Sequence, residues 1–289
     1  MAKRKFNGRS LARGVLSIVV FLILWEIGSR SKHWLGVDFF TPVRDALGAM
    51  GFKKTYLPWI GAVPAPTEVL QAWAGVITDA GYWQSWYKSS LRVLSGFTTA
   101  MLVGIPFGLL LAVNRTAFGI GFPVFEVLRP IPPLAWVPAS IIFWPTQELS
   151  IAFVTFIGAF YTIVINVVGG AKSIDVRYFQ AAQSMGSSKW DIFRRIILPG
   201  TLPSIVVGAA VGMGITWEVV VAAEMISGGG SQTGGTSGGG LGFFIWNSYV
   251  GGSYEQIVVG MISIGIAGFI SSELLRTLGK YVTPWLRLR

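Results

Sequence analysis

Six apolar runs separated by polar connections decide what this chain can become. They fall at Leu11–Gly28, Leu91–Val113, Gly119–Trp144, Leu149–Gly169, Pro203–Ile226 and Ile257–Leu278. Each is near the ~20 residues a helix needs to cross the hydrocarbon core. Lipid offers no partner to backbone N–H and C=O groups, so such runs are predicted to be helices that satisfy them internally. The expectation is an all-α integral membrane protein with six transmembrane helices. Composition agrees, since only 12% of the 289 residues are charged, about half the share in a soluble domain. The first run follows Lys3, Arg4, Lys5, Arg9 and Arg13 and is closed by Trp25 and Glu26. Without a clear small-residue cleavage site it reads as a retained anchor, not a signal peptide.

The net charge of +10 is arranged by topology rather than for nucleic acid. Basic residues gather in the N-terminal tail, in the 170–202 loop and in the C-terminal tail (Arg276, Lys280, Arg287, Arg289), and Arg115 lies in the 114–118 connection; the loops 145–148 and 227–256 hold none. Six spans with both termini in the cytoplasm put every basic short loop inside. The chain then divides into a tail and first helix (1–28), a long external loop (29–90), a core of five spans (91–278) and a cytoplasmic tail (279–289). In the external loop Trp34, Phe39, Phe40, Tyr56, Trp59, Trp73, Trp83 and Trp86 suit a membrane interface. Pro64-Ala65-Pro66-Thr67-Glu68 predicts a turn and an N-cap, followed by a short amphipathic helix over Val69–Ile77.

Several chemistries are excluded. There are no cysteines and one histidine, His33, so no Cys-ligated metal or His-rich metal site can form, and no catalytic constellation is visible. The Gly-rich run Ser227–Gly240 lacks the lysine of a phosphate-binding loop, Gly235 being followed by Thr236. It reads as a flexible external insert. Leu241 to Tyr249 is an aromatic, amphipathic stretch too short to span.

Two spans carry features beyond apolarity. The third contains Glu126, Arg129, Pro130, Pro132, Pro133, Trp136 and Pro138. Four prolines in nine residues forbid a regular helix. Broken backbone at membrane depth is tolerated only in protein or beside a cavity. Glu126 and Arg129, three apart, can pair on one face; a paired cytoplasmic helix end with no role in transport is the alternative to a place in the pathway. In the fifth span Gly208 and Gly212 permit close helix packing. Glu218 and Glu224 are ionisable groups in or at the edge of the membrane, which normally face a cavity or a partner. Candidate pathway residues are therefore Arg129, Trp136, Pro138, Gly214, Thr216, Trp217, Glu218 and Glu224. A hydrogen bond from Glu224 to the following loop is an equal alternative.

The loop between the fourth and fifth spans is polar and punctuated. Nothing from Val176 to Met185 breaks a helix, and Ala181, Ala182 and Met185 make a small apolar face. Gly186 is a stop. Ser188 is an N-cap, with Asp191 three residues on. Trp190, Phe193 and Ile197 follow at helical spacing, and Pro199 disfavours continuation. Two short helices at a glycine bend, kept aqueous by Lys189, Arg194 and Arg195, form a surface knob.

Gln180-Ala181-Ala182, Gly186 and Ile196-Ile197-Leu198-Pro199 match the E-A-A-x3-G-x9-I-x-L-P spacing of permease subunits of ATP-binding-cassette (ABC) importers, with Gln180 where Glu is usual. The chain also resembles their nitrate, sulfonate, taurine and bicarbonate class at Pro64-Ala-Pro-Thr-Glu-Val-Leu, Ser90-Leu-Arg-Val-Leu-Ser-Gly-Phe, Gly104-Ile-Pro-Phe-Gly-Leu, Arg129-Pro-Ile-Pro-Pro-Leu-Ala-Trp-Val-Pro and Trp217 to Glu224. The resemblance covers about residues 60–280; the 29–60 segment and the 227–240 insert are not typical of the class. It implies a type I importer permease fold in the bacterial inner membrane and a homodimer. It also implies two ATPase subunits that bind ATP and Mg and dock on 173–199 through Gln180, Ala181, Ala182, Gly186, Ile196, Leu198 and Pro199, and a periplasmic or lipid-anchored substrate-binding protein. This chain would carry no cofactor and no catalysis. Leu241-Gly-Phe-Phe-Ile-Trp is most similar to nitrate and bicarbonate members, so a small anion is expected. Taurine, an alkanesulfonate or another organic acid is the alternative. An ion-coupled secondary transporter or channel using Glu218 and Glu224, and a membrane enzyme, are the readings from other classes. The former has no use for the knob, and no inverted repeat is visible in the hydropathy.

Overall fold

The computed structural model describes residues 8–35, 41–51, 63–228 and 239–285, with side chains described over 12–30, 45–51, 63–226 and 239–285. All regular elements among these are helical: α1 (Gly8–Leu35), α2 (Thr41–Ala49), α3 (Pro66–Val76), α4 (Ala80–Val113), α5 (Arg115–Leu128), α6 (Val137–Phe143), α7 (Gln147–Lys172), α8 (Val176–Ser184), α9 (Lys189–Ile192), α10 (Leu198–Gly228), α11 (Leu241–Val250) and α12 (Tyr254–Val282). Five stretches are long and apolar enough to cross a membrane: Ala12–Arg30, Ala80–Val113, Gln147–Lys172, Lys189–Ile226 and Tyr254–Val282. They match five of the six expected spans, though α4 begins well before Leu91. The third expected span is split as its prolines require, into α5, a 3-10 turn at Pro133–Trp136 and α6. His33, Trp34, Phe39, Phe40, Tyr56, Trp59, most of the 227–240 insert, and the tail residues Lys3, Arg4, Lys5, Arg287 and Arg289 lie outside the described residues or side chains.

The chain forms two compact units. The first comprises residues 1–79 and 248–259. Here α3 starts where the Pro-rich turn predicts. Its N-cap residue is Ala65, which has no side chain able to cap. The cap comes from elsewhere: the Glu68 carboxylate accepts the Ala65 N–H at 2.9 Å, and Glu26 of α1 accepts the Thr67 N–H at 3.2 Å and the Thr67 hydroxyl at 2.9 Å. Arg30, one turn beyond Glu26, donates to Glu26 at 2.5 Å and to Thr67 at 2.7 Å. A carboxylate at a helix N-terminus satisfies orphan donors and opposes the helix dipole.

The second unit, residues 80–247 and 260–289, is centred on α7. This helix packs along both α4 and α10, burying Val154, Ile157, Ile163, Val164, Val167 and Val168. Small residues set the close approach. A Cβ on Gly96 or Gly108 of α4 would lie 2.1 Å from Thr155 or 2.8 Å from Val167, and one on Gly208 of α10 would lie 2.7 Å from Asn166. Gly212 meets the backbone of Ala159. The Gly208/Gly212 pair thus serves helix packing as its spacing predicts. At one end of α7, Phe125 and Leu111 join Val164 and Val168 in an apolar cluster ringed by Phe107, Phe160 and Tyr161.

Candidate functional site

The knob between α7 and α10 is built locally. The Asp175 carboxylate accepts the Arg177 N–H at 2.9 Å, starting α8, and two guanidinium bonds from the same Arg177 at 2.9 and 2.6 Å. The guanidinium first, and then the backbone N–H, hold the Asp175 carboxyl below the usual carboxylate range. α8 ends as expected at Gly186, whose φ of +75° is left-handed and costs glycine little. The Ser188 hydroxyl accepts the Asp191 N–H at 3.1 Å and donates to its carboxylate at 2.6 Å, a capping box closed through side chains.

Two expectations are corrected. The second helix of the knob is not a separate short element, and Pro199 does not end it. Lys189 to Ile226 runs as one helical stretch. A π turn at Phe193–Ile197 widens the ladder, and the Leu198 N–H reaches back to the Phe193 carbonyl. Pro199, with no N–H to give, follows directly on this shift in the ladder. The small apolar face is also divided: Ala182 is buried, but Ala181 is exposed and Met185 is 78% exposed. Trp190, stacked on Phe193 at 5.5 Å, is 66% exposed. Ile192 and Ile197 point inward. Of the motif residues, Gln180 and Gly186 are exposed, and Ile196, Leu198 and Pro199 are half-buried. The knob therefore exposes Val176, Tyr178, Met185 and Trp190, the last stacked on Phe193.

The residues singled out in the broken and fifth spans separate into two sets. Arg129 is half-exposed and pairs with Glu126 at 3.2 Å. Trp136 is half-buried, and Pro138 is exposed. On α10, Val207, Val211, Gly214 and Glu218 recur at steps of four, three and four and form one exposed stripe. Thr216 and Trp217 are buried: the Thr216 hydroxyl donates to the Gly212 carbonyl at 2.8 Å and the Trp217 indole to Ser271 at 3.0 Å. Glu218 and Glu224 occupy different faces, as their spacing predicts.

Glu224 belongs to a buried cluster. Its carboxylate accepts from Ser89 at 2.8 and 2.9 Å, from Arg92 at 2.9 Å and from the Gly242 N–H at 2.9 Å. Arg92 also donates to Glu148 at 2.7 and 2.5 Å and to the Gly239 carbonyl. The Leu241 N–H donates to Ser89. This set ties α4, α7 and the end of α10 to the start of α11. The equal alternative for Glu224, a bond to the following loop, is present. Ser89 and Glu148 had no signal in the sequence beyond lying near apolar runs; Arg92, a charge inside a span, was a pointer to a buried partner.

Residues 104–288 match the family model of the binding-protein-dependent transport system inner membrane component. The chain belongs to this family of multi-span inner membrane proteins. It is 34% identical to the nitrate import permease protein NrtB of Leptolyngbya laminosa over 72% of this chain and 71% of that protein. It is 31% identical to the taurine transport system permease protein TauC of Escherichia coli over 77% and 80%, and 32% identical to the bicarbonate transport system permease protein CmpB of Synechococcus elongatus over 70% and 69%. In fold it is similar to a bacterial ABC transporter involved in alginate import, with a TM-score of 0.56 over 97% of this chain and all of that one, at 14% identity. The chain is an ABC importer permease of the nitrate, taurine and bicarbonate class.

Proposed function

We propose that this chain is the translocation subunit of an ATP-driven importer for a small oxyanion, with nitrate or bicarbonate ahead of taurine and other organic acids. Two copies would form a homodimer. An external binding protein would deliver the ligand, and two separate ATPase subunits would bind ATP and Mg and supply the hydrolysis. Both termini and the knob would face the cytoplasm, in keeping with the basic short loops. The observation that carries this reading is the knob: a capped helix, a left-handed Gly186 and exposed Met185 and Trp190, on a surface that is otherwise mostly polar or charged. Exposed aromatic and thioether groups of this kind mark a protein interface. The broken third span and the Gly214–Glu218 stripe of α10 would line the pathway at the dimer axis. Relatives carrying nitrate, bicarbonate and taurine support the oxyanion class.

Gly186→Trp tests the docking site, because any side chain there is strained and a bulky one covers the knob. The variant is expected to insert into the membrane at normal levels and to lose its ATPase partners on purification. Normal co-purification with normal transport refutes the placement. Uptake by vesicles bearing the full complex, with nitrate, bicarbonate, taurine and an aromatic sulfonate compared, tests the substrate. Carriage of organic substrates alone would overturn the inorganic preference and leave the importer reading intact.

A further inference from the structure

The break between α5 and α6 leaves an open cavity of about 410 Å3 against α7 and α10. Three polar side chains line it, Arg129, Tyr161 and Thr162, among apolar walls that include Ile157, Ile165 and Ile215. Its depth follows from helix rise. Arg129 lies about 21 Å along from the start of α5 at Arg115, and Tyr161 about 16 Å from the end of α7 at Lys172, at 1.5 Å per residue. In a hydrocarbon core of about 30 Å Tyr161 is then near the middle, and Arg129 lies inside the core about 9 Å from the nearer boundary. A half-exposed guanidinium at that depth cannot face lipid without a large cost, so it faces a polar or aqueous space.

The hydroxyls are as informative as the charge. Thr99, Thr155, Thr201, Thr216 and Thr283 each donate to a carbonyl one turn back in their helices, the usual fate of threonine in a helix. Thr162, like Thr98 and Thr277, makes no such bond; Asn166 donates to its backbone carbonyl. Tyr161 sits 5.3 Å from the Phe125 ring, and its hydroxyl has no hydrogen-bond partner among the described residues. Two hydroxyl donors and one cation therefore line a space that no described residue fills. The donor set suits an oxyanion: a planar guanidinium and hydroxyls match nitrate, carboxylate or sulfonate oxygens.

We propose that Arg129, Tyr161 and Thr162 form a station within the membrane for the oxyanion head of the transported ligand; this rests on the importer reading above. Glu126 keeps the station weak. Its carboxylate, 3.2 Å from Arg129, competes with the ligand for the guanidinium, so the anion is received and released rather than trapped, as conduction requires. The apolar walls give the carbon body of a sulfonate or carboxylate a place beside the same head-group contacts. Nitrate would use the donors alone.

The test uses the chain's lack of cysteine. Ile165→Cys places a thiol in the cavity without removing a donor. In the full complex, its modification by a small water-soluble thiol reagent is measured with added nitrate, ethanesulfonate or chloride. At least one oxyanion is expected to slow labelling several-fold, chloride to have little effect, and the protection to vanish when Arg129→Gln is added. No labelling in any transport state, no protection by either oxyanion, equal protection by chloride, or protection that survives Arg129→Gln each overturns the station. Co-purification of ATPase subunits and ATP hydrolysis stimulated by the binding protein are read on the same Ile165→Cys complex. They report on the importer reading separately.

Discussion

Arg92→Met removes the cation from the most buried ion pair in the described structure. The Arg92 side chain is 4% exposed and that of Glu224 is fully buried. After the change, Glu224 keeps Ser89 and the Gly242 N–H but has no countercharge. Breaking a buried pair from one side costs about 3–5 kcal/mol, because the remaining charge is left without compensation. The Glu148 side contributes less: its carboxylate is 56% exposed and regains water, a pair worth about 0–1 kcal/mol. Glu224→Gln leaves Arg92 with Glu148 and the Gly239 carbonyl, at the roughly 1.5–3 kcal/mol of a lost charged hydrogen bond. In the double variant no charge is stranded, so its cost should fall about 2 kcal/mol short of the sum. The assay is equilibrium unfolding in mixed micelles by added denaturing detergent, for the four members of the cycle. Single effects that add to within about 0.5 kcal/mol would show the two residues to be uncoupled. A cost below about 1 kcal/mol for Arg92→Met would equally refute the reasoning.

Gly242→Ala should be severe for another reason. Its Cβ would lie 2.2 Å from the Val221 carbonyl oxygen, a backbone atom that cannot rotate away, so overpacking of about 1–3 kcal/mol is expected in the same unfolding assay. Asp175 gives the α8 terminus a pH dependence. Its carboxyl is lowered by Arg177, so the stabilisation is present above the unfolded value near ~3.9 and is lost as pH falls through the lower folded value. Hydrogen exchange at the Arg177 amide, corrected for intrinsic rate, should accelerate on that descent, while Asp175→Asn shows no such step.

What the sequence made legible is what depends on neighbours in the chain. The spans follow from runs of apolar residues, the broken third span from its prolines, and α8 from the unbroken stretch after Val176 and its stop at Gly186. The capping of the next helix by Ser188 is equally local. The misreadings begin where a local rule has a local escape. Pro199 ends an ordinary helix, but the π turn before it shifts the ladder so that the missing N–H falls where it does least harm. The remaining features are long-range. Glu26 meets Thr67 across 41 residues, and Arg92 meets Glu224 across 132. A charge in an apolar run announces that it needs a partner without naming which one, since the fold alone decides what lies opposite.

The continuity of Lys189–Ile226 changes what the knob is mechanically. With 38 residues in one helical stretch, about 57 Å at 1.5 Å each, the surface bearing Trp190 is the short arm of a lever whose long arm carries Gly214 and Glu218. A torque applied at Trp190 cannot be absorbed in a slack connection, because there is none between it and the middle of the membrane. The compliant part is the π turn at Phe193–Ile197 together with Pro199 and Pro203 just beyond it. A push on the short arm is therefore delivered either as rotation of the whole rod or as bending over that short stretch.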